Sequence, residues 1–373
     1  MRHAEPLGLG LIGCGGFGRF CLDAFAKMDE VRIAAVADVV TEAAQAAGGA
    51  FDVPHFTDPA DLIAHPDVQI VHVATPPDTH HRLAMAAIRD GKHVLCEKPL
   101  ALTVEEADEI VAAASDARVA APVNFVLRYN RVVDTVKAVL DAGVLGRPLA
   151  VRLTNCAGDT KLGPGHWFWN KAVSGGIFVE HGVHFFDLYA HWFGPGHVVC
   201  AHTEKRDRTD MEDRVTCLLR HDSGVLASHY HGFDQTVLMD RTEHRIVCEM
   251  GDVRVTGWIP LEISLDAAVD EAGAGRLAEL CPGAKVQVLE QYSPSSGCVR
   301  GRGVERHVSR RLRIDFSPTT DKQATYAAGV RDLLADQIAW IRDRSHPRLV
   351  TERQGRDALV PAEAAARMAE ERG

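Results

Sequence analysis

Residues 7–18 read Leu-Gly-Leu-Gly-Leu-Ile-Gly-Cys-Gly-Gly-Phe-Gly, and this stretch decides the fold. Leu7 to Ile12 is a short, mostly apolar run that ends on glycines. A helical pattern follows over about 16–28, with Phe17, Phe20, Cys21 and Phe25 on one side. Val31 to Ala37 is apolar again. Strand, glycine-rich turn, helix and strand make a βαβ unit. Gly13-x-Gly15-x-x-Gly18 stands where a dinucleotide fingerprint should, after a strand and at the opening of a helix. Its glycines allow the tight turn, the approach of a pyrophosphate and the packing of helix on sheet. Gly16 and Phe17 open the helix, whose free N–H groups favour phosphate. Asp38 ends the second strand twenty residues after Gly18. A carboxylate there accepts the adenosine ribose hydroxyls and repels a 2′-phosphate; Val39 and Val40 follow it, not Arg. NAD is the expected cofactor, with NADP less favoured.

The alternation continues outward. Pro59–Ala64 reads as a short helix, 68–74 as a continuous apolar strand and 79–90 as a helix stopped by Gly91. His93–Cys96 is a strand, 104–114 a helix and 120–124 a strand. Apolar strands between helices predict a doubly wound parallel sheet covered on both faces. After Asn124 the pattern changes. Helices are expected over 130–142, 182–193, 325–342 and 361–371, with a run of strands between about 198 and 256. Successive strands suggest a large, mostly antiparallel open sheet. The expected fold class is α/β, with a Rossmann domain over 1–124 and a substrate-binding and oligomerisation domain over 125–373. The C-terminal helices are candidates to pack back on the first domain. Residues 268–312 read as irregular, and the arginines at 300, 302, 306, 310, 311 and 313 as a solvated surface, with an anion site as the alternative.

Composition excludes other classes. The 373 residues suit two domains, and a hydrophobic share of 46% allows a sizeable core. A formal net charge of −10 argues against coating nucleic acid. Nine scattered cysteines without a CxxC pair read as reduced thiols. No signal peptide and no apolar run of membrane length is evident, so a soluble cytoplasmic protein is expected.

Four further segments hold the chemistry-bearing residues. Thr75, Pro76 and His80 follow the strand at 68–74, at the edge where such sheets bind ligands. Thr79 is a candidate helix cap. Glu97, Lys98 and Pro99 follow the next strand. Asn124, Arg128 and Tyr129 stand at the domain junction. Glu180, His184 and Asp187 follow Gly175-Gly176, with Glu180 and His184 at helical spacing i, i+4. His166, Trp167 and Trp169 could stack on a sugar ring or simply pack. His181 is a second candidate for substrate contact, with packing the plainer reading. No metal site is expected, because no thiolate or HExxH pattern accompanies the histidines.

Gly13-x-Gly15-x-x-Gly18, Thr75-Pro76-Pro77-x-Thr79-His80, the run Gly91 to Pro99 and the run Gly175 to Asp187 together resemble the Gfo/Idh/MocA oxidoreductases. That family includes glucose–fructose oxidoreductase and inositol dehydrogenases. The resemblance implies a Rossmann domain plus an α/β domain whose open sheet often makes homodimers or homotetramers. It implies that Lys98 hydrogen-bonds the reacting hydroxyl, that His184 is the general acid/base, and that Asn124 and Arg128 line the nicotinamide end. It also implies a hydride exchanged between NAD and a secondary hydroxyl of a sugar, cyclitol or polyol. Three alternatives remain at this stage: transient oxidation leading to glycoside cleavage or elimination without net redox, a non-catalytic NAD-binding regulator, and reduction of an imine or tetrapyrrole. The chain departs from the family at Glu180, where Asp is usual.

Overall fold

The computed structural model describes residues 5–294 and 296–371. Its first sheet has five parallel strands: β1 (Leu7–Ile12), β2 (Val31–Ala37), β3 (His55–Phe56), β4 (Ile70–Val73) and β5 (His93–Cys96). The order is β3-β2-β1-β4-β5, so the winding reverses between β1 and β4. Four helices join these strands, α1 (Gly16–Phe25), α2 (Thr41–Phe51), α3 (Pro59–Ile63) and α4 (His80–Arg89), and α5 (Val104–Ala117) follows β5. Leu9, Leu11, Val71, Val73 and Leu95 are buried, as strands covered on both faces require. Each such side chain contributes about 1.5–3 kcal/mol of hydrophobic stabilisation.

Two differences from the sequence reading are local. α2 and β3 were not expected; α2 is an alanine- and glycine-rich segment whose apolar period is shallow. The strand expected over 120–124 is reduced to a single bridge between Val123 and Cys96. Its backbone still serves β5, with Val94 N–H donating to Ala120 O and Cys96 N–H to Pro122 O. Pro122 has no N–H to return, which interrupts the ladder.

The rest of the chain runs α6 (Arg131–Asp141), β6 (Pro148–Cys156), α7 (Lys171–Ser174), one π-helical turn (Phe178–Gly182) and α8 (Val183–Phe193). Then come β7 (Gly196–Lys205), β8 (Glu212–His221), β9 (Leu226–Gly232), β10 (Arg241–Cys248), β11 (Gly251–Thr256) and β12 (Glu262–Val269). After α9 (Glu271–Leu280) follow β13 (Lys285–Gln291), β14 (Cys298–Gly301), β15 (Val304–His307) and β16 (Arg310–Phe316). α10 (Lys322–Arg342) and α11 (Glu352–Glu370) close the chain.

Contacts divide the chain into two units. Residues 1–129, 164–187 and 326–364 form the first; 130–163, 188–325 and 365–373 form the second. These units interleave along the chain, where the sequence reading placed one boundary at residue 124. Residues 164–187 side with the first unit through the Lys98–Glu180 and Arg128–Asp187 ion pairs. α11 joins it through Glu363, which accepts Val104 N–H, and through Arg356, which pairs with Asp108.

The second unit holds a nine-stranded sheet, ordered β13-β16-β12-β11-β10-β6-β9-β8-β7. Every pairing is antiparallel except β6 with β9. Residues 268–312, read as irregular, contain α9 and β13–β15. Their arginines meet carboxylates: Arg302 and Arg306 face Glu249, Arg310 faces Glu271, and Arg311 and Arg313 share Asp266. These five arginines are thus engaged in ion pairs. α11 begins nine residues before Pro361, which stands inside the helix rather than at its start. Among the described residues, no helix is long and apolar enough to cross a membrane.

Gly13 and Gly18 are the tightest points around the first turn. Gly13 has φ of +100°, and a Cβ there would lie 2.4 Å from the Ala74 carbonyl oxygen. A Cβ on Gly18 would lie 2.1 Å from the Gly13 carbonyl oxygen, so α1 could not keep its place against β1. Gly18→Ala is expected to lower stability by about 1–3 kcal/mol, the usual cost of overpacking. A denaturant midpoint equal to that of the parent would show that the turn relaxes freely.

Candidate active site

Polar side chains gather on the turns that follow the parallel strands. The turn after β1 ends at Gly15, the N-cap of α1, which makes no side-chain cap hydrogen bond. A Cβ on Gly15 or Gly16 would meet nothing within 4 Å. The first N–H groups of α1 thus face open space beside a carboxylate, a cradle that fits the pyrophosphate of a dinucleotide. That carboxylate belongs to Asp38, after β2. Its Oδ2 accepts Cys14 N–H at 2.7 Å and its Oδ1 accepts Val40 N–H at 2.8 Å. Asp38 therefore spans the β1 and β2 turns. Val39 and Val40 beside it are 78% and 53% exposed. Phe17 turns instead to Phe20 and Tyr326, with ring centroids 5.8 Å away in each case.

The turn after β4 is held by its own hydroxyls. Thr79 Oγ1 donates to Pro76 O at 2.9 Å, which leaves Thr75 Oγ1 to donate to Thr79 Oγ1 at 2.6 Å. Thr79 makes no side-chain cap on α4, contrary to the sequence expectation; its backbone is helical (φ −100°, ψ −12°) rather than extended as an N-cap requires. His80 is fully buried. Its Nδ1 lies 2.6 Å from Pro99 O and its Nε2 2.8 Å from Thr75 O.

The turn after β5 carries Glu97, Lys98 and Pro99, with a cis Lys98–Pro99 peptide. Glu97 Oε1 accepts from Asn124 Nδ2 at 2.8 Å and contacts His72 Nε2 at 2.9 Å. Lys98 Nζ donates to the Glu180 carboxylate at 2.5 Å and to the Glu180 backbone oxygen at 3.0 Å. Glu180 lies in the π-helical turn, and His184 in the first turn of α8. His184 is buried, with Phe125 edge-on at a centroid distance of 6.1 Å.

Burial, then the Lys98 charge, then His181, push the His184 pKa well below the usual imidazole range. Burial and Lys98 likewise bring His181 down to about 3. Both imidazoles are neutral near pH 7. Lys98, Glu180, His181 and His184 thus form one cluster: a cation, a carboxylate and two neutral bases.

The other expected residues lie elsewhere or are otherwise engaged. Arg128 forks onto Asp187, with Nε to Oδ2 and Nη2 to Oδ1 both at 2.8 Å. Tyr129 donates to Asp336 of α10 at 2.6 Å. His166 Nδ1 accepts Phe168 N–H, and its ring lies 5.1 Å from that of Trp167. Trp169 stands edge-on to Phe168. α7, just after these rings, packs on the turn at Pro77–Thr79, so the aromatic segment borders the β4 turn.

Sequence reasoning passed over His72. A histidine inside the buried strand Ile-Val-His-Val is the signal that could have found it, since a buried polar group needs a partner. Cys21 also comes within 4.8 Å of His72 and Glu97, a trio of metal-ligating types. Burial raises the Cys21 thiol pKa, with the Glu97 charge adding to it, so the sulfur keeps its proton. We read the trio as polar core packing around the His72–Glu97 contact.

The match to known proteins is two-part. Residues 7–125 match the model of an oxidoreductase family with an NAD-binding Rossmann fold, and residues 133–254 match the GFO/IDH/MocA C-terminal domain. The chain belongs to the Gfo/Idh/MocA oxidoreductase family.

Among its curated relatives, 1,5-anhydro-D-fructose reductase of Ensifer adhaerens is 34% identical over 46% of this chain and 53% of its own length. D-apiose dehydrogenase of Paraburkholderia graminis is 32% identical over 58% and 57%. Myo-inositol 2-dehydrogenase of Thermotoga maritima is 27% identical over 65% and 75%. The chain thus spans about half the length of the first two. A levoglucosan dehydrogenase solved with NADH and levoglucosan shares the fold, with a TM-score of 0.79 at 21% identity over 99% of this chain and 98% of that one. So does the WlbA dehydrogenase from Bordetella pertussis, solved with NADH and UDP-GlcNAcA, at TM-score 0.78 and 22% identity over 99% and 97%.

In this Gfo/Idh/MocA chain, the Asp38 carboxylate organises the β1 turn, and a carboxylate at such a position would repel a 2′-phosphate. Asp38→Gly is expected to weaken NAD and to lower the ratio of NAD to NADP affinity by about tenfold or more, equivalent to ~1.4 kcal/mol. Fluorescence titration with both cofactors measures the ratio. An unchanged ratio would assign the preference to other residues.

Proposed function

We propose that this family member is an NAD-dependent dehydrogenase, moving a hydride between nicotinamide and a secondary hydroxyl or ketone of a sugar, cyclitol or related polyol. One observation supports the reading: the Lys98 ammonium pairs with the Glu180 carboxylate at the end of β5, near enough to the buried His184 to depress its pKa. The relatives, named for an anhydro-sugar, an aldose and an inositol, support that substrate class.

NAD supplies the hydride acceptor. The chain's own residues handle the proton and the oxygen. Lys98 sets a positive charge beside the alcohol oxygen, where negative charge grows as its proton leaves. His184, neutral and therefore able to accept, takes that proton. Glu180 holds Lys98 in place and offers a second acceptor to a substrate hydroxyl. His181, Asn124 and the rings of His166, Trp167 and Trp169 are assigned to the substrate and nicotinamide surroundings, and Arg128 to support through Asp187. The reading extends to a cytoplasmic homodimer or homotetramer built on the open sheet face. β10 supports this, since Arg245 and Val247 are exposed while His244 and Ile246 are buried.

NADH formation should be screened against sugars, inositols and glycosides. Lys98→Ala is expected to lower kcat/KM about 10²–10³-fold, the size seen when one oxyanion donor is lost. The pH profile has a definite sign. His184 accepts only above its pKa, which burial and Lys98 depress, so the acid limb of alcohol oxidation is expected below pH 6.5. In Lys98→Ala one depressing charge is gone, and the limb of the residual activity should move to higher pH. Parent-like turnover by Lys98→Ala would end the proposal. Retained NAD with glycoside cleavage and no net NADH would point instead to transient oxidation.

A further inference from the structure

We propose that His80 is a positioning residue that works as an imidazolium, clamping the carbonyls of Thr75 and Pro99 with its two N–H groups and so fixing the Lys98 turn against the β4 turn. The inference starts from a count of protons. Both ring nitrogens lie at hydrogen-bond distance from a backbone carbonyl oxygen, 2.6 Å at Pro99 and 2.8 Å at Thr75. A carbonyl only accepts. A neutral imidazole carries one N–H and one lone pair, so it can serve one of the two and must press its lone pair on the other. Turning the ring over does not help. It would set C–H groups against both oxygens, at distances well inside the ~3.3–3.6 Å of such contacts. Only the doubly protonated ring makes both contacts attractive, and charge-assisted bonds are also the short ones.

The surroundings pull both ways. Burial is the largest influence, and the balance lowers the His80 pKa below the usual imidazole range. The two carbonyls and the Glu97 carboxylate favour the charged ring, and the Lys98 ammonium opposes it. His80 is the first residue of α4, whose N-terminal dipole also opposes a cation. Against that lowering stand the two short contacts, which only the protonated ring makes attractive together. Loss of the proton forfeits one of the two contacts and frees one turn from the other. Thr75 borders the β1 turn at the point where the sheet winding reverses, and Pro99 follows Lys98 directly. The clamp sets the distance between the cofactor side of the site and its catalytic ammonium.

The charge state can be read without a substrate. In protein labelled with ¹⁵N-histidine and saturated with NAD at pH 7, the His80 ring is identified by its loss in His80→Phe. Both nitrogens are expected to carry protons. One protonated and one bare nitrogen would overturn the imidazolium. The kinetic arm rests on the dehydrogenase reading. His80→Phe keeps a ring and removes both donors, and kcat is expected to fall about 10–100-fold, as when an outer support of a site is removed. NAD affinity should change less than kcat. His80→Gln, whose amide offers two N–H groups, should recover part of the loss and carries the comparison if the Phe variant does not fold. Equal kcat in parent and both variants would overturn the positioning role. Absence of any NADH-forming substrate would count against the dehydrogenase reading alone, since the spectrum still decides the clamp.

Discussion

The contact between the Lys98 ammonium and the Glu180 carboxylate is the constraint on which the site depends. The two side chains are only 20% and 10% exposed, so both charges have lost most of their water. A pair in that setting is held because separation leaves each ion uncompensated, not because pairing is strongly favourable against water. The consequence is an ammonium already desolvated and aimed. An alcohol oxygen that reaches it meets a fixed charge rather than one that must first be stripped and oriented, which is the condition for electrostatic preorganisation. Burial first, and this same charge second, keep His181 and His184 neutral, and neutrality is what a proton acceptor needs.

Two buried anchors stand behind this pair. On one side, Glu97 takes Asn124 and His72 on a single carboxylate oxygen, which fixes the residue just before Lys98. On the other, the Arg128 fork grips Asp187, one helical turn beyond His184. A bidentate contact fixes direction as well as distance, so it sets the rotation of the first turn of α8 and with it the aim of His184. Neither Arg128 nor Asp187 lies in the Lys98 cluster, yet their fork anchors the first turns of the helix that carries His184. Polar networks of this kind are costly when half made: removing Arg128 would strand a carboxylate whose pKa burial already raises.

Much of this was legible in the sequence, for identifiable reasons. Parallel strands read clearly because both faces are buried, and the glycine turn because Gly13 and Gly18 have no room for a side chain. What did not read was set by contacts distant along the chain. Residues 164–187 belong with the first unit through partners 59 and 82 positions away, which no local pattern signals. Pro361 marks a helix start by propensity, yet α11 continues through it, so tertiary context outweighs the local preference. The arginines from 302 to 313 looked like one basic patch because their carboxylate partners, Glu249, Asp266 and Glu271, precede them by dozens of residues. The spacing of Glu180 and His184 was read as one α-helical face, whereas the π-helical turn between them changes the rotation per residue.

That turn bears on the departure at Glu180. In an uninterrupted α-helix the Glu180 carbonyl would serve the amide of His184, four residues on. A π turn moves the ladder to i+5 spacing, and such turns often mark functional positions. Here the Glu180 carbonyl meets Lys98 Nζ at the place where the ladder returns to α spacing at Val183. The longer side chain reaches the same nitrogen from its own end. One residue therefore grips the ammonium twice, through backbone and side chain. An Asp in this backbone would be one methylene short of the second grip. The extra methylene is thus what lets the Glu180 carboxylate reach Lys98 Nζ alongside its own backbone carbonyl.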